Sequence, residues 1–271
     1  IEQTRYQKIV VTKHKDDVRL YIDGNCQFST NDEYRYHEAL VHIPMSEVQS
    51  HDSVLILGGG DGMAVREVLK YDDVQDIELV DLDKDMIDIC MTNENITSIN
   101  DNSLKSDKLR IYNEDAYKYL ENTNKKYDVI IVDLPDPNSE VLNKLYSNIF
   151  YRMCGNCLKD EGIMVVQSTS PYYAKDTFWC INKTIESEGF FVKPYHLQVP
   201  SFGDWGFNMA SKKEIKEELD FSVDTKYLSK DNVKALFLFG KDEITNDVEI
   251  NHLTKPVLME YYNKAVENWN Q

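Results

Sequence analysis

Basic residues are scarce in this chain of 271 residues, and their scarcity restricts the partners that it could bind. Thirty Lys and Arg stand against 47 Asp and Glu, so the formal charge is −17 at pH 7. Such an excess of acid disfavours nucleic acid and anionic membranes as partners. It favours a cationic partner or substrate, while a surface that is acidic only for solubility remains the alternative.

Long hydrophobic runs are also missing, although 42% of the residues are hydrophobic. No stretch approaches the roughly 18 consecutive apolar residues of a membrane span, and the N-terminus has no signal-peptide core. The chain as given is therefore expected to be soluble and cytoplasmic. Because it begins at Ile1 rather than at Met, we expect a processed or trimmed piece of a longer protein, whose remainder could hold a targeting or membrane segment.

Cysteine is infrequent and irregularly spaced, and Cys154 and Cys157 form the only close pair among the five. An odd number without framework spacing argues against a disulfide scaffold and indicates a reducing compartment. No second pair of this kind and no histidine cluster completes a zinc site. We therefore interpret the two residues as buried or incidental thiols, and we expect no metal.

The first part of the chain, residues 1–48, alternates apolar and polar residues in the manner of β-hairpins. A short helix from Glu33 to His42 follows and is predicted to end at Pro44, because proline interrupts helical hydrogen bonding. These residues are predicted to form a small N-terminal β-hairpin domain.

Residues 49–211 alternate short apolar strands with helices, which predicts an α/β domain with a doubly wound, mostly parallel sheet covered on both faces. Residues 212–271 are charged and are predicted to form a helical extension, whose last helix opens at Lys255-Pro256 and runs through Trp269. The predicted strands are 53–57, 77–80, 109–112, 128–132 and 162–167, with antiparallel edge strands at 195–199 and 206–210, and the predicted helices lie near 63–70, 84–91, 116–121, 144–158 and 176–187.

Four glycines fall in the five residues 58–62, between the first predicted strand of the α/β domain and its helix. Glycine at such a turn allows positive φ angles and lets the backbone approach a nucleoside-type ligand closely. A turn of this composition can also do no more than reverse the chain, so its neighbours must decide between the two interpretations.

Asp81 and Asp83 follow the next predicted strand, about twenty residues further on. An acidic side chain at this position commonly accepts hydrogen bonds from both hydroxyls of a ribose. Together with the glycine turn, this favours a nucleoside site. Helix capping by either aspartate is the alternative, and it is more plausible for Asp83 than for Asp81.

Asp133 and Asp136 follow the fourth predicted strand and are held in a loop with two prolines. A plain Asp-Pro turn would give the same residues. Counted along the chain, however, five acids end four successive strands: Asp61, Asp81, Asp115, Asp133 and Asp136. Crowded carboxylates raise one another's pKa unless a cation lies between them, so an ammonium or sulfonium ligand is expected.

Six motifs occur in this order along the chain: Tyr36-His37-Glu38, the glycine turn at 58–62, Val80-Asp81-Leu82-Asp83, Glu114-Asp115-Ala116, Asp133-Leu134-Pro135-Asp136-Pro137 and Gln167. Through these motifs the chain resembles, over about residues 5 to 210, the spermidine synthases, or polyamine aminopropyltransferases. The resemblance implies the Rossmann-like fold of class I S-adenosylmethionine-dependent methyltransferases.

The C-terminal tail resembles the longer bacterial branch of this family, in which a membrane-spanning region precedes the synthase domain. The tail residues that carry the likeness are Asn251-His252-Leu253 and Tyr261-Tyr262. The chain would then lie at the cytoplasmic face of a membrane if its parent has spans upstream of Ile1. The N-terminal hairpins resemble those that pair family members, which implies a homodimer or a higher homo-oligomer.

The family reaction moves an aminopropyl group from decarboxylated S-adenosylmethionine to an amine such as putrescine and releases methylthioadenosine. The resemblance implies this co-substrate, no prosthetic group and no metal. It makes Asp133 the catalytic base, aided by Tyr36. The implied donor-binding residues are Gln27, Gly58, Gly60, Asp61, Asp81, Glu114, Asp115 and Ala116, and the implied acceptor-binding residues are Tyr36, His37, Asp61, Asp133, Asp136, Gln167, Phe202 and Trp205.

The chain departs from the family pattern at three places that bear on its substrates. Leu134-Pro135 and Asn138-Ser139-Glu140 alter the loop after the fourth strand, and Ala116 replaces a common glycine. Phe202 stands where many members have a substrate-binding tyrosine, so the identity of the acceptor stays open.

Two other functions are compatible with parts of the pattern. A methyltransferase that uses S-adenosylmethionine would share the fold, the glycine turn and Asp81, but Asp61 would repel the methionine carboxylate of that donor. A non-catalytic relative that binds nucleosides or polyamines is the second alternative, and the presence of Asp133 argues against it.

Overall fold

The structure is a computed structural model that describes residues 1–216, 219 and 221–269. Its N-terminal sheet is antiparallel, with four described strands that pair in chain order. The strands are β1 (Glu2–Gln3), β2 (Lys8–His14), β3 (Asp17–Ile22) and β4 (Asn25–Ser29). Alternation along β2, β3 and β4 buries Ile9, Leu20 and Phe28 against one core, which confirms the predicted hairpins.

Helix α1 spans Glu33–Ser46 and is longer than the sequence predicts. The prediction that it ends at Pro44 is wrong, because the proline lies in the last turn. There it removes a single N–H donor, and its own carbonyl still accepts a hydrogen bond from the Glu47 N–H at 3.1 Å.

Seven described strands form the central sheet, in the order β10-β11-β9-β8-β5-β6-β7. They are β5 (Ser53–Gly58), β6 (Asp76–Val80), β7 (Leu109–Tyr112), β8 (Tyr127–Asp133), β9 (Leu158–Gln167), β10 (Phe191–Val199) and β11 (Gly203–Ser211). The strands β5 to β9 are parallel, whereas β10 and β11 are antiparallel, as predicted. The chain reverses its direction across the sheet between β5 and β8, which is where ligands bind in such folds.

Helices cover both faces of the central sheet, as predicted. The described helices that follow α1 are α2 (Met63–Val68), α3 (Lys84–Thr92), α4 (Glu94–Thr97), α5 (Ala116–Asn122), α6 (Glu140–Asn143), α7 (Asn148–Cys157), α8 (Lys175–Glu186) and α9 (Leu258–Trp269). The single helix predicted near 144–158 is divided, because the Ser147 side chain accepts from the Phe150 N–H and starts α7.

Alternate residues of the buried strands supply two cores on opposite sides of the sheet. In β5, Val54 and Ile56 face the core that contains α1, whereas Leu55 and Leu57 face the core that contains α7. Because both faces are covered, the side chains in the middle of β5 are all apolar. Polar side chains that could bind a ligand therefore lie beyond the end of this strand.

The pair Cys154 and Cys157 is buried in α7, and all five cysteines are free thiols. Burial raises the pKa of both thiols, so neither is a reactive thiolate. This confirms the interpretation of the pair as buried thiols.

The prediction of a helical segment after residue 212 is wrong for most of its length. Between 212 and α9, the described residues hold one 3-10 turn (Val233–Phe237) and otherwise irregular chain. Where a helix would supply backbone carbonyls as acceptors, the Glu38 carboxylate accepts from the backbone N–H groups of three successive residues, 226–228. Residues 217, 218, 220, 270 and 271 of the predicted helical extension lie outside the residues that the structure describes.

Asn251 joins the tail to the rest of the molecule. Its side chain accepts from the N–H groups of Val257 and Leu258, at the start of α9, and donates to the carbonyls of Asn143 and Tyr146. Asn251 is fully buried, so α9 is tied to the segment that follows β8. Within the described ranges, no helix has the length and apolar character needed to cross a membrane.

Candidate active site

The acidic side chains lie along one edge of the central sheet. Strands β8, β5, β6 and β7 are neighbours, and Asp133, Asp61, Asp81 and Asp115 belong to their ends or to the loops that follow. Because parallel strands place their carboxyl ends at the same edge, the structure brings these acids to a common rim.

Gly58 is the last residue of β5 that pairs with β8, and its partner there is Asp133. Its φ is +84°, and a Cβ there would lie 2.1 Å from the carbonyl oxygen of Asp133. Gly60 allows a second close approach: its N–H donates to Asp81 Oδ2 at 3.2 Å. The glycine turn therefore positions two of the carboxylates.

Replacing Gly58 by Ala is expected to lower the free energy of unfolding by about 3 kcal/mol, because a methyl group would meet backbone and the φ angle is unfavourable. Gly189→Ala is the matched control, since its φ is +86° and nothing lies within 4 Å of the added Cβ. The control should cost only about 1 kcal/mol, from backbone strain. Equal losses for the two variants in urea unfolding would show that Gly58 is not required by the close approach to β8.

Asp61 is held rigidly within the glycine turn. Its Oδ1 accepts from the Met63 N–H at 2.8 Å, and its carbonyl accepts from the Asn100 side chain at 2.9 Å. The residue is 8% exposed, so a cation that reached it would meet a largely desolvated carboxylate.

Asp81 and Asp83 have different tasks. Asp83 caps α3 and accepts from Thr4 Oγ1 at 2.7 Å, so the capping interpretation holds for this residue. Asp81 accepts from the N–H groups of Gly60 and Asp83. Burial, together with the charges of Asp83 and Asp61, raises the pKa of Asp81 to about 6.

Asp115 caps α5 by accepting from the Tyr117 N–H at 2.9 Å, and its other oxygen pairs with Lys144 Nζ at 2.5 Å. Its two neighbours in the motif differ in exposure: Glu114 is partly exposed, whereas Ala116 is buried. A ligand amino group that used Asp115 would therefore share this carboxylate with Lys144.

Asp133 ends β8 and accepts a hydrogen bond from the Tyr36 hydroxyl at 2.5 Å. Burial and the charge of Asp61 raise the pKa of Asp133 to about 6, against the opposing effects of His37 and Tyr36. A carboxylate in this state gains from any cation that approaches it, and it accepts a proton more readily than an ordinary aspartate.

His37 is buried behind Tyr36, and its Nδ1 lies 2.8 Å from a carboxylate oxygen of Glu33. Glu33 in turn pairs with Arg66 at 2.9 Å. Burial would lower the pKa of His37, but Glu33, Asp61 and Asp133 raise it overall. These three acids therefore favour the charged form of the imidazole.

Asp136 lies at the other end of the loop after β8. Gln167, which is buried, donates to the Leu134 carbonyl at 2.5 Å and to the Tyr146 hydroxyl at 2.9 Å. Its amide also lies 3.4 Å from Asp136 Oδ1. Tyr262 of α9 donates to Asp136 Oδ2 at 3.0 Å.

Aromatic rings form the wall beside Tyr36. Phe202 packs edge-on against Tyr36 with ring centroids 5.8 Å apart, and Trp205 packs against Phe202 at 5.3 Å. The Trp205 indole nitrogen is buried without a hydrogen-bond partner. Gln27 lies on β4, and its side-chain amide donates to the Asn25 carbonyl of the same strand.

Four residues at this edge were missed by the sequence reasoning: Lys144, Tyr146, Thr169 and Tyr262. Thr169 has a φ of +56°, which is strained for a β-branched residue, and it hydrogen-bonds to Asp136. Neither this strain nor the long-range contacts of the other three have a local sequence signal. The tail motif that contains Tyr262 was the only hint.

Among the described ranges, a single cluster of three potential metal ligands is found: His196, Asp204 and Glu243. Its imidazole faces Asp204 Oδ1 and the Leu238 carbonyl, both at 2.8 Å, so each ring nitrogen has an acceptor. Although burial opposes it, these partners raise the pKa of His196. Both ring nitrogens are thus already engaged by partners within the protein.

A family model described as the spermine/spermidine synthase domain matches residues 33–222. The polyamine aminopropyltransferase of Oceanobacillus iheyensis is 48% identical over 99% of this chain. That of Leptospira interrogans is 40% identical over 100% of this chain. The chain spans about half the length of each, 54%. Polyamine aminopropyltransferase 2 of Bacillus anthracis is 39% identical, over 98% of this chain and 75% of its own length.

Solved structures give the same result for the fold. A spermidine synthase in complex with the transition-state analogue AdoDATO superposes with a TM-score of 0.82 at 27% identity, over 88% of this chain and 84% of that one. The spermidine synthase of Thermotoga maritima gives 0.80 at 27% identity, over 88% and 83%. With its motifs, its sheet order and these likenesses, the chain belongs to the spermine/spermidine synthase family.

Proposed function

We propose that this chain transfers an aminopropyl group from decarboxylated S-adenosylmethionine to an amine such as putrescine. The observation that carries the proposal is the electrostatic coupling of Asp61 with Asp133, two largely buried carboxylates at the ends of the central strands β5 and β8. A cationic ligand between them would relieve the repulsion, and a donor that carries both a sulfonium and an ammonium group suits this position.

The reaction needs little from the protein beyond alignment and deprotonation. The amine nitrogen attacks the methylene carbon next to the sulfonium, a C–N bond forms, and the C–S bond breaks with its electron pair going to sulfur. The sulfur leaves as a neutral thioether, methylthioadenosine, and the new ammonium product releases one proton. Proximity and orientation supply much of the rate.

Asp133 is the base in this proposal, and Tyr36 orients it. The pKa of Asp133 is raised to about 6, so it lies closer to the pKa of an alkylammonium group than the pKa of an ordinary aspartate does. A gap of several units remains against an amine with a pKa near 10, so placement of the amine matters as much as proton transfer. The aromatic wall of Tyr36 and Phe202 limits hydration of the amine.

The donor would lie over the glycine turn, with its ribose on Asp81 and its ammonium group on Asp61. Gln27, Gly58 and Gly60 would contact the nucleoside side, and Glu114, Asp115 and Ala116 the adenine side. The two N–H groups that fix Asp81, from Gly60 and Asp83, support this assignment because they orient its oxygens at the sheet edge.

The acceptor would lie on the side of Asp136, beside Gln167, Phe202 and Trp205, with His37 supporting the carboxylates from behind. The hydrogen bonds from Gln167 to the Leu134 carbonyl and the Tyr146 hydroxyl support this arrangement, because they fix the loop that carries Asp136. An acidic pocket with an aromatic wall favours a di- or polyamine as acceptor.

A methyltransferase on the same fold is the second candidate. Asp61 argues against it, because a largely buried carboxylate would repel the carboxylate of intact S-adenosylmethionine. The decarboxylated donor lacks this carboxylate, and its ammonium group would be attracted by Asp61.

For the whole protein, we further propose a homodimer or higher homo-oligomer in the cytoplasm or at its membrane face, with no nucleic acid, prosthetic group or metal. The free thiols support a reducing compartment. Strand β4 pairs only with β3 among the described strands, which supports association through the N-terminal sheet. Light scattering after gel filtration tests the subunit count, and a monomer would contradict this point.

The direct test of the function is to incubate the chain with decarboxylated S-adenosylmethionine and a panel of amines, and to measure the polyamine products by mass spectrometry. Putrescine, cadaverine, agmatine, norspermidine and spermidine form the panel. A product longer by one aminopropyl unit is expected with at least one amine. The absence of such a product with every amine would exclude the proposal.

Donor binding is expected to weaken about tenfold between pH 7 and pH 5, because Asp81, whose pKa is raised to about 6, loses its charge in this interval. Calorimetric titration of the donor without amine measures this. Asp133 protonates in the same interval, but loss of its charge should change the donor affinity by no more than a few-fold, so Asp81→Asn should flatten most of the profile. A constant affinity from pH 7 to pH 5 in the unmodified chain would contradict the assignment.

A further inference from the structure

Helix α9 contributes a side chain to the acidic edge of the sheet. Tyr262, from its second turn, donates its hydroxyl hydrogen to Asp136 Oδ2 at 3.0 Å. The two residues are 126 positions apart in the chain. The other carboxylate oxygen, Oδ1, lies 3.4 Å from the Gln167 amide, which is a longer contact. Tyr262 therefore makes the shorter of these two side-chain hydrogen bonds to Asp136.

Helix α9 is anchored where it begins and has a surface contact near its end. At its start, the buried Asn251 side chain accepts from the Leu258 N–H and donates to the Tyr146 carbonyl. Near its other end, the Trp269 ring packs on Tyr173. Because Asn251 joins the start of α9 to the segment that follows β8, the fold holds the Tyr262 hydroxyl at the acidic edge.

The surroundings of Asp136 make this hydrogen bond important for its charge. Burial raises the pKa of Asp136 to about 6, and the hydrogen bonds from Tyr262, Gln167 and Thr169 oppose that rise. The titratable groups that face Asp136 from other elements are Tyr36 of α1, Tyr146 of the turn before α7, and Tyr262 of α9. All three are phenols, so none of them supplies a positive charge.

We propose that Tyr262 is a positioning residue that holds the Asp136 carboxylate oriented and ionised for the acceptor amine, so that α9 completes the acceptor side of the site. This inference rests on the proposed function. It assigns Tyr262 no contact with the reacting atoms: its effect passes through Asp136. The C-terminal helix is thereby part of the acceptor site, and the irregular segment before it serves to place that helix.

Tyr262→Phe is expected to raise the KM for the amine about tenfold, the usual effect of losing a hydrogen bond to a charged group, while kcat stays within about twofold. The affinity for the donor, measured by calorimetry, should not change. Without the hydroxyl the pKa of Asp136 rises further, so the variant should lose its affinity for the amine at a higher pH than the unmodified chain.

Tyr261→Phe is the matched control, because this neighbouring phenol accepts from the Glu249 N–H and lies on the same helix. Its kinetic constants should equal those of the unmodified chain. A double variant, Tyr262→Phe with Asp136→Asn, tests whether the effect passes through Asp136. If it does, adding Tyr262→Phe to Asp136→Asn should raise the KM less than twofold further.

An unchanged KM and pH profile in Tyr262→Phe would overturn the inference. A tenfold loss that persists in the Asp136→Asn background, or an equal loss of donor affinity, would also overturn it, because either result indicates a general structural role. Failure of the proposed function looks different: the unmodified chain would then form no polyamine product with any amine.

Discussion

Asp133→Asn is expected to lower kcat about a thousandfold while the affinity for the donor stays within a few-fold. The expected loss is within the range that positioned acid–base groups contribute. Asparagine has nearly the same shape, and its amide oxygen can still accept from the Tyr36 hydroxyl, which donates to Asp133 at 2.5 Å in the structure. The substitution therefore removes the charge and the proton acceptor, and leaves the packing in place.

The same variant should be more resistant to heat than the unmodified chain. The folded-state pKa of Asp133 is raised from 3.8 to about 6, so its contribution to stability is present at low pH and is lost as the pH rises through 6. At neutral pH the ionised carboxylate is thus unfavourable, and a neutral amide removes this cost. Loss of turnover with gain of stability is the signature of a group kept for function.

Asp128→Asn provides the comparison for this result, because Asp128 lies at the opposite end of the same strand. Its Oδ2 accepts from the Ser53 N–H at 3.0 Å and from Lys159 Nζ at 2.7 Å. Burial opposes its ionisation, but these partners hold the pKa of Asp128 below its usual value. The control variant should unfold at a lower temperature and keep its kcat. Turnover near the normal rate in Asp133→Asn would refute the assignment of the base.

Asp61→Asn is expected to abolish the preference for the decarboxylated donor. Removing one partner of a desolvated charge pair costs about 2 to 4 kcal/mol, which corresponds to about a 30- to 1000-fold weaker binding of that donor. The affinity for intact S-adenosylmethionine should rise, because the carboxylate of this donor is no longer repelled. Asparagine can still accept from the Met63 N–H, so the turn itself should remain intact.

Asp81→Asn is the matched control for donor selection. Asp81 lies next to Asp61 at the sheet edge and is assigned to the ribose, which both donors share. Its replacement should weaken both donors by a similar factor and leave their ratio unchanged. A selectivity ratio that is the same in Asp61→Asn and the unmodified chain would show that Asp61 does not select the donor.

The parts of the site that the sequence predicts are those with local patterns. An apolar strand, a glycine turn and an aspartate at the next strand end are close along the chain, and their positions relative to a parallel sheet follow from its geometry. For this reason Asp61, Asp81 and Asp133 could be placed at one edge before the structure was known.

The parts that the sequence did not predict depend on distant contacts. The pairing of Lys144 with Asp115, and that of Tyr262 with Asp136, join segments whose separation is set by the fold. The charged segment before α9 was predicted to be helical, yet three of its backbone N–H groups, those of residues 226–228, donate to Glu38, which is buried in α1. Composition alone does not reveal such a partner.

The central claim is that the site selects a sulfonium donor without a carboxylate and passes its aminopropyl group to an amine. Its most direct test offers the chain equal amounts of decarboxylated and intact S-adenosylmethionine with the amine panel, and measures the two nucleoside products. Methylthioadenosine is expected to form, and S-adenosylhomocysteine is expected to stay at background. S-adenosylhomocysteine as the main product, or neither nucleoside above background, would contradict it.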